Sequence, residues 1–200
     1  MTISTQFDVC YPMSREQIDA QSRLQIKLHE FNHSHPREME RRQAILQEIL
    51  GTYQGAMIVP PFHCDIGHNI HLGRRGFINT GCVILDIAPV NIGDFVLIGP
   101  KVQLLSATHP VDLAERLQPY VCGNEIVIGD RVWIGAGSVV LPGVSIGDGS
   151  VIGAGSVVTK DIPSNVIAVG NPCKVIKSIE HGELPSEGVL SAMYESLFKK

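Results

Sequence analysis

The stretch LLSATHPVD, residues 104 to 112, sets His109 directly before Pro110 at a break in an otherwise regular chain. Imidazole titrates near neutral pH, so His109 is a candidate general base able to withdraw a proton from an alcohol. A histidine that merely caps a broken strand fits the same break equally well. Asn79, in FINTG, occupies a slot that the surrounding pattern usually gives to glycine. That position turns its side chain outward and favours a ligand over packing. Asp65 in FHCDIG and Asp86 in ILDIA are carboxylates able to take hydrogen bonds from several hydroxyls, although aspartate serves turns as readily. His63 and His68, five apart, offer with His109 a second chemistry, a trio of ligands for a zinc-type ion.

These residues ride on a six-residue rhythm. Ile66, Leu72, Ile78 and Ile84 are six apart; after a two-residue slip come Ile92, Ile98 and Leu104; after a gap of twenty-four come Ile128, Ile134, Val140, Ile146, Ile152 and Val158. Glycine follows eight of the thirteen, and the position two before is small or branched, as at Val132, Ser138, Val144, Ser150 and Ser156. A six-residue unit is one short strand and a turn, with nothing of its own against which to bury an aliphatic side chain; stacking supplies the partner. Six fits neither the 3.6 period of a helix nor a plain two-residue alternation. The pattern therefore predicts an all-β core, a single-stranded parallel β-helix with three six-residue faces per coil. Thirteen units make a little over four coils, with the glycines easing the corners. The gap at 104–128 is one unit plus an eighteen-residue excursion.

Residues 14–32 are expected to be helical, with Ser14 and Gln17 in capping-box spacing and Ile18, Leu24, Leu28 and Phe31 on one face. A second helix runs from near Pro36 to Gly51 and buries Met39, Ile45, Leu46 and Ile49. Together they form an N-terminal α-helical hairpin. A last short helix is expected after residue 186, around Val189, Leu190, Met193, Leu197 and Phe198. The division is thus 1–55 helical, 56–180 β-helix with an inserted loop at 107–124, and a tail at 181–200.

Two hundred residues, 44% of them hydrophobic, suffice for one substantial core. The net charge of −4, without long runs of one sign, speaks against nucleic acid and membrane surfaces and for a small-molecule partner. MTISTQFDVCYPMSREQ lacks the basic start and apolar run of a signal peptide, which predicts a cytoplasmic protein. Cys10, Cys64, Cys82, Cys122 and Cys173 stand singly and are expected to be reduced thiols; Cys82, two before Ile84, falls at the small inward position.

The segment WIGAGSVVLPGVSIGDGSVIGAGSVVTKDIPSNVIAVGNPCKVI resembles the closing coils of hexapeptide-repeat acyltransferases. FINTGCVILDIAPVNIGD, SATHPVD and EFNHSHPRE together resemble the galactoside and maltose O-acetyltransferases, over roughly residues 8–180. The resemblance implies a left-handed β-helix, a hand that parallel crossovers otherwise avoid. It further implies a homotrimer with sites at subunit interfaces, and acetyl transfer from acetyl-CoA to a sugar hydroxyl, the 6-hydroxyl first. His109 becomes the general base. Asp8, Asp65, Asn79 and Asp86 are implied on the acceptor. Asn79, Trp133, Ala136, Ala154, Thr159, Lys160, Lys174 and Lys177 are implied on CoA, with the Ala136 N–H as oxyanion donor. No metal is required. Transfer is expected to be direct, because no Ser or Cys has the surroundings of a nucleophile. Galactoside members can carry a second aspartate where Ile87 stands and an arginine where Gln21 stands, so the preferred sugar stays open. Rival readings are an antibiotic or nucleotide-sugar amine as acceptor, a non-catalytic trimer, and a γ-class carbonic-anhydrase-like metalloenzyme. The histidine order, pair first and single later, runs opposite to that last class.

Overall fold

The computed structural model describes residues 6–186, 188–190 and 192–193. Its body is a parallel β-solenoid of three sheets. The first face stacks Thr52–Gln54, Ile70–Arg74, Val90–Ile92, Ile126–Ile128 and Ser145–Ile146. The second stacks Met57–Ile58, Phe77–Ile78, Leu97–Ile98, Trp133–Ile134, Val151–Ile152 and Val166–Val169, closed by the antiparallel strand Lys174–Ser178. The third stacks Phe62–Cys64, Cys82–Leu85, Gln103–Leu105, Val139–Val140 and Val157–Val158. Side chains alternate across each strand, so Ile58, Ile78, Ile98, Ile134, Ile152 and Ala168 form one inward column, every member 5% exposed or less.

Twelve of the thirteen expected positions are buried; Ile66 is the exception. The register there is carried by Cys64, and an eight-residue step to Leu72 leaves Ile66 half-buried in the corner. The same long corner recurs from Ile84 to Ile92. The column also extends past both ends of the aliphatic repeat, through Tyr53 and Ile58 before it and Ile162 and Ala168 after it. The prism accordingly has six levels rather than a little over four coils. Its outer levels were hidden because tyrosine, cysteine and alanine break the aliphatic signature.

Apart from Gly67, which has a left-handed φ of 83° at the Ile66 corner, the glycines after the column residues serve a purpose other than turning. A Cβ on Gly99 would lie 2.7 Å from the Ala136 nitrogen, and one on Gly135 would lie 2.5 Å from the Ala154 nitrogen. They let one coil's backbone rest on the next. The left-handed corners fall instead on other residues, including Gly137 and Gly155 and even Phe95 and Lys101.

Helix α1, Arg15–Asn32, begins at the expected capping box, and α2 spans Met39–Ile49. Leu24, Leu28, Phe31, Ile45, Leu46 and Ile49 join the solenoid core, whereas Ile18 and Met39 remain 43% and 40% exposed. Each lies in the first turns of its helix, Ile18 at the cleft beside Asp65 and Met39 at a small pocket against Tyr53, Ala56 and Met57 of the first coil. The EFNHSHPRE segment docks the hairpin: Asn32 donates to the Phe62 carbonyl at 2.9 Å and accepts from the Phe62 N–H at 2.8 Å. Residues 188–190 are helical and continue the expected tail helix; Leu197 and Phe198 lie outside the described residues. No helix among the described residues is long and apolar enough to cross a membrane.

The excursion after Leu105 folds into its own structure. Ala107–Thr108, the short helix Leu113–Arg116 and Tyr120–Gly123 leave the prism, and Tyr120–Gly123 is the middle strand of a three-stranded antiparallel sheet completed by Val9–Pro12. Here the expectation of five reduced thiols fails. Antiparallel pairing sets Cys10 opposite Cys122, and the two form a disulfide across a sequence separation of 112. Cys64, Cys82 and Cys173 are free, with Cys82 in the core as expected.

Ile146→Ala should destabilise the fold by about 2–5 kcal/mol through an unfilled cavity in the column, while the outward neighbour Ser145→Ala should stay within about 0.5 kcal/mol. Urea unfolding midpoints of the two variants check this, and equal losses would contradict the alternation.

Candidate active site

His109 follows the last paired position of the inserted sheet. The register runs Thr108 to Cys122 to Cys10, so the next row would set His109 level with Val121 and Tyr11. The imidazole is exposed and stands outside the aliphatic column. Pro110 behind it is buried, which anchors the arm where it turns away.

Tyr11 and Val121 of that row line a cleft of about 630 Å³ between the inserted sheet, α1 and the corner that holds Asp65. The Asp65 corner is organised by Asp86. The Asp86 carboxylate is fully buried, and one oxygen accepts the N–H groups of Asp65 at 3.1 Å and Ile66 at 2.9 Å. Its other oxygen has no partner among the described residues. Burial pushes the Asp86 carboxyl above its ordinary range, against the pull of the backbone N–H groups of Ile66, Gly67 and Asp65. Asp65 is raised by its own burial and by the charge of Asp86, and Tyr11 by burial and by both carboxylates. Of the two aspartates, Asp65 therefore lines the cleft, and Asp86 holds it in position from behind. Gln21 leans on Asp65 from α1 at 3.5 Å.

Asp8 lies outside this lining. Its carboxylate accepts the Glu125 N–H at 2.7 Å, and its N–H donates to Asn124 at 2.9 Å, which fastens the N-terminal segment to the end of the inserted arm. Tyr11 and Val121 are lining residues that the sequence did not point to, because only the antiparallel pairing of Val9–Pro12 with Tyr120–Gly123 brings them to Asp65; Ile66, expected in the column, lines the cleft instead.

The other expected residues gather on a different edge of the prism. Asn79, Ala136 and Ala154 occupy corners on the one edge between the second and third faces, with the Gly99 corner between Asn79 and Ala136. Ala136 and Ala154 are exposed, and the N–H of Ala136 has no hydrogen-bond partner among the described residues. Asn79 is half-buried, its side-chain oxygen taking the Thr80 N–H at 2.8 Å. Trp133 projects from the second face, 53% exposed, and Lys174 and Lys177 lie on the exposed closing strand of that sheet. Thr159 and Lys160 are exposed at the corner between the third and first faces, the edge that also carries Asp65 and the inserted arm. A single chain thus divides the expected set between two edges. Among the described residues no three His, Cys, Asp or Glu side chains are grouped as metal ligands, so the trio of His63, His68 and His109 is not assembled within one chain.

The chain agrees with known proteins. Residues 125–160 match the bacterial transferase hexapeptide family (six repeats), and residues 11–55 match the maltose acetyltransferase hexapeptide capping motif. The chain is 44% identical over 153 residues to galactoside O-acetyltransferase of Escherichia coli K12, covering 76% of this chain and 75% of that one. The chain belongs to the hexapeptide-repeat acetyltransferases. Within that family it is similar to the crystal structure of a maltose O-acetyltransferase from Clostridium difficile 630, at TM-score 0.82 and 42% identity over 84% of this chain and 90% of that one. It is equally similar to galactoside acetyltransferase in complex with coenzyme A, at TM-score 0.82 and 42% identity over 88% and 92% of the two chains.

Because burial raises the Asp86 carboxyl, its ionisation works against folding: the associated stability is full below the ordinary carboxylate pKa of 3.8 and is lost as pH rises through the folded-state value. Asp86→Asn keeps the acceptor oxygen and removes the charge. Relative to the parent, its urea midpoint should improve as pH rises from about 4 to about 7. A relative midpoint that worsens toward neutral pH would contradict the assignment.

Proposed function

We propose that this chain transfers the acetyl group of acetyl-CoA to a hydroxyl of a galactoside, maltose or related sugar, the primary 6-hydroxyl foremost, at sites between neighbouring chains of a homotrimer. The observation that carries the reading is the position of His109, exposed outside the column and, by register, level with Val121 and Tyr11 of a cleft that also contains Asp65. The names of the similar proteins, and the coenzyme A bound in one of them, support the donor and the acceptor class.

A sugar hydroxyl is a weak nucleophile at neutral pH. In the proposed reaction the His109 imidazole takes the hydroxyl proton as the oxygen attacks the thioester carbonyl carbon. The negative charge then gathers on the former carbonyl oxygen, where the unpartnered N–H of Ala136 is suited to receive it. Collapse of that intermediate breaks the C–S bond, and the leaving thiolate recovers the proton from the imidazolium. Pantetheine has a path along the glycine-rich corners past Ala154 and Trp133. Lys160, Lys174 and Lys177 supply ammonium groups for the nucleotide phosphates.

Two features support a second copy of the chain as the partner. The outward column of the second face is apolar throughout: Met57, Phe77, Leu97, Trp133, Val151 and Ile167. On the first face Thr52, His71, Asn91 and Ser145 stand outward instead, with Val127 the apolar exception. In addition, Asn79 and Ala136 lie on one edge while His109 and Asp65 lie on another, so the edge of one chain must meet the opposite edge of its neighbour for all four to serve one reaction.

His109→Ala should lower turnover by about two to four orders of magnitude while the oligomer persists, the scale expected for loss of a general base; an unchanged rate in a coupled thiol-release assay would remove the role. Asn79→Ala should raise the acceptor KM more than it weakens coenzyme A binding, and the reverse ranking would assign Asn79 to the donor alone. A screen of glycosides with the acetylated position read by NMR tests the reaction class, since no transfer to any hydroxyl or amine would leave only a scaffold.

A further inference from the structure

The strand Val9–Pro12 closes the edge of the inserted sheet without a core of its own. Among the described residues none before Leu24 joins the buried core, so this strand stays in place through what it shares with the arm. Those ties are the ladder with Tyr120–Gly123, the Met13 N–H donating to the Pro119 carbonyl at 2.8 Å, the contacts of Asp8, and the bond between Cys10 and Cys122. A short edge pairing of this kind is marginal in water by itself, and the covalent bond is a tie that water does not compete for. Side chains alternate along a strand, so Val9, Tyr11 and Val121 line the cleft while Cys10 and Cys122 lie on the other side of the sheet. The bond thus stands apart from the cleft whose wall it fastens.

Cys10 is half-buried and Cys122 fully buried, so Cys10 is the approachable end of the bond. Burial pushes the thiols of Cys64, Cys82 and Cys173 upward, which keeps them protonated and makes them poor partners in exchange. We propose that Cys10 and Cys122 form a reversible redox clasp, which as a disulfide holds Tyr11 in the cleft wall and steadies the arm that carries His109, and which releases Val9–Pro12 when a dithiol reduces it. A thiolate of the dithiol attacks the Cys10 sulfur, the S–S bond breaks, and Cys122 leaves with the electron pair and takes up a proton. The second thiol then attacks the mixed disulfide, frees Cys10 as a thiol and leaves the reductant as a cyclic disulfide. Two electrons and two protons pass to the protein, and a small disulfide such as glutathione disulfide takes them back.

The test holds the full chain, without denaturant, in buffers of graded reduced-to-oxidised dithiothreitol, and counts thiols by alkylation in denaturant and mass. Five thiols are expected at the reducing end and three at the oxidising end. Amide hydrogen exchange over residues 8–13 should quicken by about tenfold or more in the reduced form, a readout that needs no turnover. The activity arm rests on the sugar acetyl-transfer reading above: with the clasped fraction lowered to about one tenth, kcat/KM for the acceptor should fall about tenfold, chiefly through KM. Coenzyme A affinity should hold, because Lys174 and Lys177 lie on another sheet. Re-oxidation should restore exchange and activity. Cys10→Ser should match the reduced protein at every ratio, and Cys122→Ala should agree with it if the effect belongs to the bond and not to one side chain. Five thiols at every ratio, a disulfide that opens only in denaturant, unchanged exchange, or a measurable kcat/KM equal in both forms would overturn the clasp while leaving sugar acetylation standing. No turnover in either form, with exchange still answering to reduction, would remove the acetyl-transfer reading and leave the clasp.

Discussion

The whole molecule depends on coils resting directly on one another. Parallel strands lie about 4.8 Å apart, and at that spacing each Ile or Val of the column touches the one above and the one below. The glycines at positions such as Gly99 and Gly135 remove the only atoms that would hold successive backbones apart. A prism stacked this tightly has corners at repeating places, so a residue at a corner is fixed in space by backbone contacts it does not itself make. Asn79, Ala136 and Ala154 gain their shared edge in this way.

The same stacking explains where the chain departs from it. A strand inside a sheet cannot admit extra residues without breaking ladders on both sides, whereas a corner can lengthen freely. The excursion after Leu105 leaves at a corner, and its neighbours on that edge, from Cys64 to Leu72 and from Ile84 to Ile92, are also long. The variation on this edge creates the cleft. The arm builds a second sheet there, takes the N-terminal strand as its edge, and carries the exposed His109 just past its last paired residue, Thr108.

Within the cleft, electrostatics and backbone order are linked through Asp86. A carboxylate without a counter-charge is poorly placed in a dry interior, yet here it is the acceptor that holds the amides of Asp65 and Ile66. Burial and the nearby charge on Asp86 then keep the Asp65 carboxyl above its ordinary range. The cleft thus mixes polar and aliphatic groups on both sides, with Gln17, Gln21 and Arg23 beside Ile18 on the helix and Asp65 and His68 beside Ile66 and Ile87 on the prism. Asn32 keeps α1 at the distance this requires by clamping both backbone groups of Phe62.

Much of this was legible in the residues themselves. A six-residue aliphatic period has one low-energy outcome, so the parallel prism, the capping box at Ser14, the inward serines and the break at His109 all followed from spacing. Local patterns could not reach the levels built on Tyr53, Cys64 and Ala168, whose side chains lack the aliphatic signature. They could not pair Cys10 with Cys122, separate Asp65 in the cleft from Asp86 behind it, or bring Tyr11 and Val121 to the same wall. Each of those depends on contacts between segments far apart in the chain, which only the closed fold creates. The chain's own periodicity determined how it stacks, and tertiary contact decided which of its polar residues face a ligand, because burial is a property of what surrounds a side chain and not of the side chain alone.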